Sequence, residues 1–224
     1  MGRENRTDWN MGRSAESKFN GNAKGYFGLC PLCFVLVVFT LGFGTPWAIC
    51  RMYRWRCNNL VIDGKQVVFE GKGKKLFWRY FGWCILSVIT LGIYGLRVPV
   101  KLQDWLTERT HFVRSENEPY LGDLYTKSRF CGITQGYLCL RIAQIVLLIF
   151  TLGIALPWVI CKEARWRIDN VIIDGRQVVF EGKGKRLFWR YLVWSLVTIL
   201  TLGIGSFWMH VKLLKWEAKN THFA

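Results

Sequence analysis

The sequence predicts an all-α integral membrane protein, with four transmembrane helices arranged as two tandem helix–β-hairpin–helix repeats. Three observations carry this. The tripeptide Thr-Leu-Gly occurs at 40–42, 90–92, 151–153 and 201–203, each time inside an apolar run and each time with a Trp fifteen residues after the Thr (Trp55, Trp105, Trp166, Trp216). Thr40 and Thr151, like Thr90 and Thr201, stand 111 residues apart, so the two halves are copies and each carries the motif twice. Finally, 51% hydrophobic residues, 16% aromatics and 12 Trp coexist with a formal charge of +16. That combination fits a chain whose Lys and Arg hold loops in water while aromatic rings sit at headgroups. Nucleic-acid binding also calls for basic charge, but here the cations crowd the ends of apolar runs and form no single stripe.

Residues 1–25 are polar, without apolar periodicity, and are expected to be a disordered tail; they lack the pattern of a secretory signal. Repeat one is expected over 26–112, a polar linker over 113–134, and repeat two over 135–224. The four apolar runs, about Tyr26–Cys50, Tyr80–Val100, Tyr137–Cys161 and Tyr191–Val211, each approach the length of a bilayer-crossing helix. Arg97 and Arg141 interrupt two of them close to an end, where a long side chain can snorkel. Between the runs of each half, Asp63-Gly64 and Asp174-Gly175 are flanked by β-branched residues. This is the signature of a two-residue hairpin whose type I′ turn needs positive φ at both central positions. The two units should be related by a pseudo-twofold axis along the membrane normal. Sixteen of the 31 Lys and Arg lie in the two hairpin loops and thirteen in the tails and linker, a bias that leaves orientation open.

Two candidate sites follow. Gly42, Gly92, Gly153 and Gly203 fall near the middle of the expected helices, often with further Gly or Pro after them. Broken helices at the midplane line the binding sites of several transporter folds, and small residues also simply let helices pack closely. With no Asp or Glu deep in a run, proton- or cation-coupled transport is disfavoured. These glycines support the first reading, a small channel or transporter with a path near the midplane breaks, for which a homo-oligomer is one possible form because four helices enclose little. The second site is a basic and aromatic collar: Lys72, Lys74, Lys75 and Arg79, repeated as Lys183, Lys185, Arg186 and Arg190, at the entrance to helices two and four. Such a collar suits anionic lipid headgroups, and its glycines lack the spacing of a phosphate loop. It supports the alternative reading, a non-transporting membrane scaffold or sensor that binds anionic lipid or a partner protein.

Other motifs are weaker. Cys30 and Cys33 have the spacing of a redox or zinc pair, but a structural zinc site wants four ligands and no second pair has comparable spacing. His111 and His222 close the two halves at equivalent positions, without an acidic neighbour in the same pattern. The eight cysteines are scattered in or beside apolar segments, as small buried hydrophobes would be. No catalytic constellation is present in the sequence, so neither an enzyme nor a cofactor nor a metal site is expected.

Pro46-Trp47-Ala48, Tyr53-Arg54-Trp55, Ile62-Asp63-Gly64, Phe69-Glu70-Gly71-Lys72-Gly73 and Thr90-Leu91-Gly92-Ile93-Tyr94 together resemble the YjgN-like bacterial membrane proteins. The second half is similar through Pro157-Trp158, Ile173-Asp174-Gly175, Thr201-Leu202-Gly203 and Lys215-Trp216. The resemblance covers about residues 34–112 and 145–223. It implies a multi-pass protein of the bacterial inner membrane and implies no activity. Arg97 stands where the other three motifs have Trp47, Trp158 and Trp208, which breaks a strict fourfold equivalence.

Overall fold

Each apolar run that hydropathy marks as one helix is two helices in the structure, a computed structural model that describes residues 16–113, 128–151, 154–201 and 203–223. Repeat one runs β1 (Lys18–Phe19), α1 (Ala23–Phe39), α2 (Thr45–Asn58), β2 (Leu60–Ile62), β3 (Lys65–Phe69), α3 (Gly73–Ile89), α4 (Val98–Thr107) and β4 (Thr110–Phe112). Repeat two copies it with β5 (Arg129–Phe130), α5 (Thr134–Phe150), α6 (Leu156–Asp169), β6 (Val171–Ile173), β7 (Arg176–Phe180), α7 (Gly184–Leu200), α8 (Gly205–Lys219) and β8 (Thr221–Phe223).

The two helices of a run do not continue one another; they fold back. Tyr26 of α1 meets Trp55 of α2, rings 5.4 Å apart, and the Cys33 thiol points at the Ala48 carbonyl, 3.9 Å away. As one position climbs, its partner descends, which defines an antiparallel pair. In repeat two, Tyr137 meets Trp166 at 4.9 Å, Arg141 pairs with Glu163 at 2.7 Å and Gln144 donates to the Val159 carbonyl at 3.4 Å. Thr198 and Met209 similarly face each other across α7 and α8. Among the described residues no helix is long and apolar enough to cross a membrane. Where the sequence suggests one helix per run the structure has two, joined in repeat one by turns at Thr40-Leu41-Gly42 and Thr90-Leu91-Gly92.

The two Asp-Gly hairpins form as expected, with φ of 45° at Asp63 and 79° at Gly64, and 47° and 76° at Asp174 and Gly175. Each is the centre of a larger sheet. Order β1-β2-β3-β4 is antiparallel throughout, with Phe19 opposite Leu60, Ile62 opposite Lys65 and Val68 opposite His111; β5-β6-β7-β8 repeats it. The tail expected to be disordered over 1–25 therefore contains β1 and the start of α1, because Phe19 packs its ring on Trp55 at 5.5 Å. Residues 1–15 lie outside the described residues. The linker expected over 113–134 contains β5 and the first residue of α5, with Phe130 on Trp166; its stretch 114–127 is likewise outside the described residues.

The core sits under the sheets. Phe69, Leu76, Val67 and Trp105 are buried together in repeat one, and Phe180, Leu187 and Trp216 in repeat two. Trp105 and Trp216, two of the Trp residues the sequence pairs with Thr-Leu-Gly, are thus core residues with their edges against Phe69 and Phe180. The repeats are stitched by reciprocal contacts. Asp63 accepts the backbone N–H of Phe223 at 2.7 Å, and Asp174 accepts that of Phe112 at 2.7 Å. Phe112 and Phe223 meet edge to face between them.

Candidate membrane interface

The site is built from the bases of the second and fourth helical hairpins and from the hairpin tips. At the base, Lys72 is the residue before α3, Lys74 and Lys75 lie in its first turn and Arg79 in its second; all four are exposed. Lys183, Lys185, Arg186 and Arg190 repeat this at α7, also exposed. Trp78 and Trp189 stand exposed among them. Leu76 and Leu187, fully buried on the other face, fix the helix so that the cations must point outward. In each repeat the four cations and the Trp therefore lie exposed over the first two turns of one helix.

At the other end are the glycines. Gly42, Gly92 and Gly203 have φ of 92°, 88° and 91°, each in the turn that joins two helices. A Cβ added at any of the three meets nothing within 4 Å. They belong to three different turns, each with open space around the glycine. Gly153 lies outside the described residues.

The tip is a repeated local device. In the first hairpin the Gly42 N–H reaches back to the Val37 carbonyl at 2.8 Å, the long backbond of a helix terminated by a left-handed residue. The Thr40 hydroxyl donates to the Leu36 carbonyl and accepts the Gly44 N–H at 2.7 Å, so one side chain closes α1 and starts α2. Thr90 does the same for Tyr94 at 3.0 Å, Thr151 for Ala155 at 3.2 Å and Thr201 for Gly205 at 2.8 Å. Pro46, Pro99 and Pro157 occupy the first turn of the returning helix, where a missing N–H costs nothing. Around these turns the apolar side chains are bare: Leu41 is 90% exposed, Leu91 94%, Phe39 84% and Phe150 83%.

Sequence reasoning missed the charges between the repeats. Arg56 and Arg167 both donate to Glu217 Oε1, at 2.8 and 2.5 Å. Burial alone would push the Glu217 carboxyl upward; the guanidiniums of Arg167 and Arg56 outweigh it and hold the group down at about 2. Beside this cluster is a cavity of about 100 Å³ lined mainly by apolar side chains. The available signal was a charge out of pattern: Glu217 stands 111 residues after Leu106, where the repeat has a hydrophobe. The histidines that close the halves also find acidic partners. His111 Nδ1 is 3.2 Å from Asp174 of the other repeat, and His222 is 3.6 Å from Glu181. The hydrogen bond to Asp174 raises the His111 pKa above its ordinary value, against partial burial. Of the cysteine pair, Cys33 is buried and Cys30 half-buried; among the described residues no three His, Cys, Asp or Glu side chains are grouped as metal ligands.

Asp174 tests this stitching. Its carboxylate takes the Phe112 N–H, the Ser128 hydroxyl at 3.3 Å and His111, and its own N–H donates to Ser128. Asp174→Ala should lower the unfolding free energy by about 2–3 kcal/mol, roughly one charge-assisted hydrogen bond. Asn at that position should recover part of the loss, read by urea denaturation in detergent.

Residues 14–84 match the family described as bacterial protein of unknown function, DUF898. The chain is also 27% identical over 75 residues to a protein named inner membrane protein YjgN of Salmonella typhimurium, an alignment covering 34% of this chain and 19% of that relative. No solved structure matches the chain. The family segment includes the first Thr-Leu-Gly hairpin, the first Asp-Gly turn and the whole first collar. Over residues 14–84 the chain is therefore similar to the DUF898 family, and over 75 residues it is similar to a small part of the inner membrane protein YjgN.

Proposed function

We propose that this chain is a membrane scaffold of the bacterial inner membrane that binds anionic lipid through its two basic collars and embeds its helical hairpins in the acyl region, without carrying a solute. The observation that carries this is the pairing of exposed cations at the base of α3 and α7 with bare apolar side chains at the tips. Exposed apolar surface of that extent marks a partner, and the collar states the partner's charge. The relative's printed name, inner membrane protein, supports a membrane setting. A channel or transporter with a path at the glycines would have them line a passage, yet nothing stands within 4 Å of a Cβ added at any of the three described ones. The cavity near the repeat interface, about 100 Å³, lies at the sheet end and is lined by Arg56, Arg167 and Glu217, not by any tip residue.

The test uses the full chain. Replacing Lys72, Lys74 and Lys75 by Gln, together with Lys183, Lys185 and Arg186, removes cations worth about 1 kcal/mol each near an anionic surface. Co-flotation with vesicles containing anionic phospholipid should then fall to the level seen with zwitterionic vesicles. Equal preference for anionic vesicles before and after substitution removes the lipid-binding role. Solute flux across tight vesicles that scales with protein content would restore the transport reading.

A further inference from the structure

We infer that the four hairpins are re-entrant: each enters one leaflet, turns at Thr-Leu-Gly and returns, leaving both sheets on the same side of the membrane. The inference rests on the membrane reading above and fixes its geometry. It begins with the sheets. β1 precedes α1, β2 follows α2, β3 precedes α3 and β4 follows α4, and all four strands are hydrogen-bonded to one another. Both hairpins of a repeat therefore leave one sheet and come back to it. Four spanning helices would put β1 and β4 on one face of a bilayer and β2 and β3 on the other, and the ladders Phe19–Leu60 and Val68–His111 forbid that separation.

Length agrees. From the last cation of the collar to the turn, α3 offers Tyr80–Ile89 and α7 Tyr191–Leu200, ten residues each. At 1.5 Å per residue each is about 15 Å, half of a hydrocarbon core of about 30 Å. Returning helices regain charge quickly, at Arg51 in α2, Lys101 in α4, Lys162 in α6 and Lys212 in α8. Arg97, exposed near the second tip, is long enough to snorkel toward the headgroups.

A turn inside lipid must satisfy its own backbone, because no water is there to do it. These turns do. In the first, the N–H groups of Thr40, Leu41, Gly42, Phe43, Gly44 and Thr45 all find acceptors in α1 or in the turn itself. The second is equally complete from Thr90 to Gly95.

Residue choice gives the last observation. Leu41 and Leu91 both have φ of 50°, a left-handed conformation costly for a branched apolar side chain and far better suited to Asn or Asp. Neither leucine is buried within the fold, each being at least 90% exposed. A residue that is wrong for its backbone and bare of protein contacts is explained by an apolar surrounding outside the protein, and the acyl region of one leaflet supplies it.

The experiment exploits the exposed native Cys131, beside β5, and an exposed position on the β6–β7 hairpin, Gln177. In the full chain carrying Gln177→Cys, with exposed Cys84 and Cys139 changed to Ser, sealed proteoliposomes are treated with a membrane-impermeant maleimide. Intact mass then counts labels per molecule. Re-entrant hairpins predict that each molecule carries both labels or neither, whichever way it was inserted. A population carrying one label each places the linker and the hairpin on opposite sides and overturns the inference, while vesicle binding itself leaves the proposed function standing. The thiol of Leu91→Cys should be unreactive until detergent is added; labelling from the aqueous phase of intact vesicles also overturns it. Failure to co-float with vesicles at all removes both readings.

Discussion

Glu217→Gln should lower the stability of the folded chain by about 3–5 kcal/mol, the usual cost of deleting one partner of a buried charge cluster. Both guanidiniums converge on one oxygen, Oε1, and the carboxylate side chain is only 9% exposed. Gln keeps the volume and a hydrogen-bond acceptor but leaves Arg56 and Arg167 facing each other without a counter-charge. Arg56→Gln should cost much less, since Glu217 keeps its bond to Arg167. Urea unfolding in detergent, followed by tryptophan fluorescence, separates the two. The same cluster sets an acid limit. The folded pKa of Glu217, about 2, lies below its ordinary 4.5, so its contribution is complete above 4.5 and disappears as pH falls toward 2. In Glu217→Gln that part of the acid transition should vanish. An unchanged acid profile would show that other carboxylates govern it.

The second large effect concerns insertion instead of folding. Leu41→Asp combined with Leu91→Asp should reduce incorporation into vesicles by more than about 100-fold. Moving Asp to the bilayer interior costs about 2.5–3.5 kcal/mol per residue, and Leu contributes favourably there. In detergent the same variant should unfold at the same urea concentration as the parent, or slightly higher. Both side chains are bare in the folded chain, and Asp tolerates the φ of 50° that strains Leu. Retained insertion would mean that the tips do not enter lipid. A large drop in stability would mean that the leucines serve the fold.

Much of this organisation was legible in the residues. The 111-residue repeat and the Asp-Gly hairpins appear where local chemistry places them, because a I′ turn needs no tertiary information. Direction was not legible. Hydropathy reports how apolar residues 26–50 are, and a kinked helix and a helical hairpin share that property. What distinguishes them is the conjunction of a residue at positive φ, a glycine and a threonine whose hydroxyl caps the next helix, as Leu41, Gly42 and Thr40 do. The near-even division of Lys and Arg, sixteen against thirteen, carries no orientation signal of its own. β1 escaped notice because two residues paired to Val61 and Leu60 leave no periodic pattern. Glu217 escaped because its partners lie 161 and 50 residues away.

The reciprocal stitching of Asp63 to Phe223 and Asp174 to Phe112 is the arrangement of a symmetric homodimer, recast within one chain. Two identical subunits must present every residue twice, so an acid at the position of Glu217 would appear at its mate as well, giving two carboxylates to two arginines. Covalent duplication lifts that restriction. One copy keeps Leu106 and the other has Glu217, leaving a single carboxylate for Arg56 and Arg167 and one surplus positive charge beside the interface. The fused chain can hold an unequal centre that no pair of identical halves could encode.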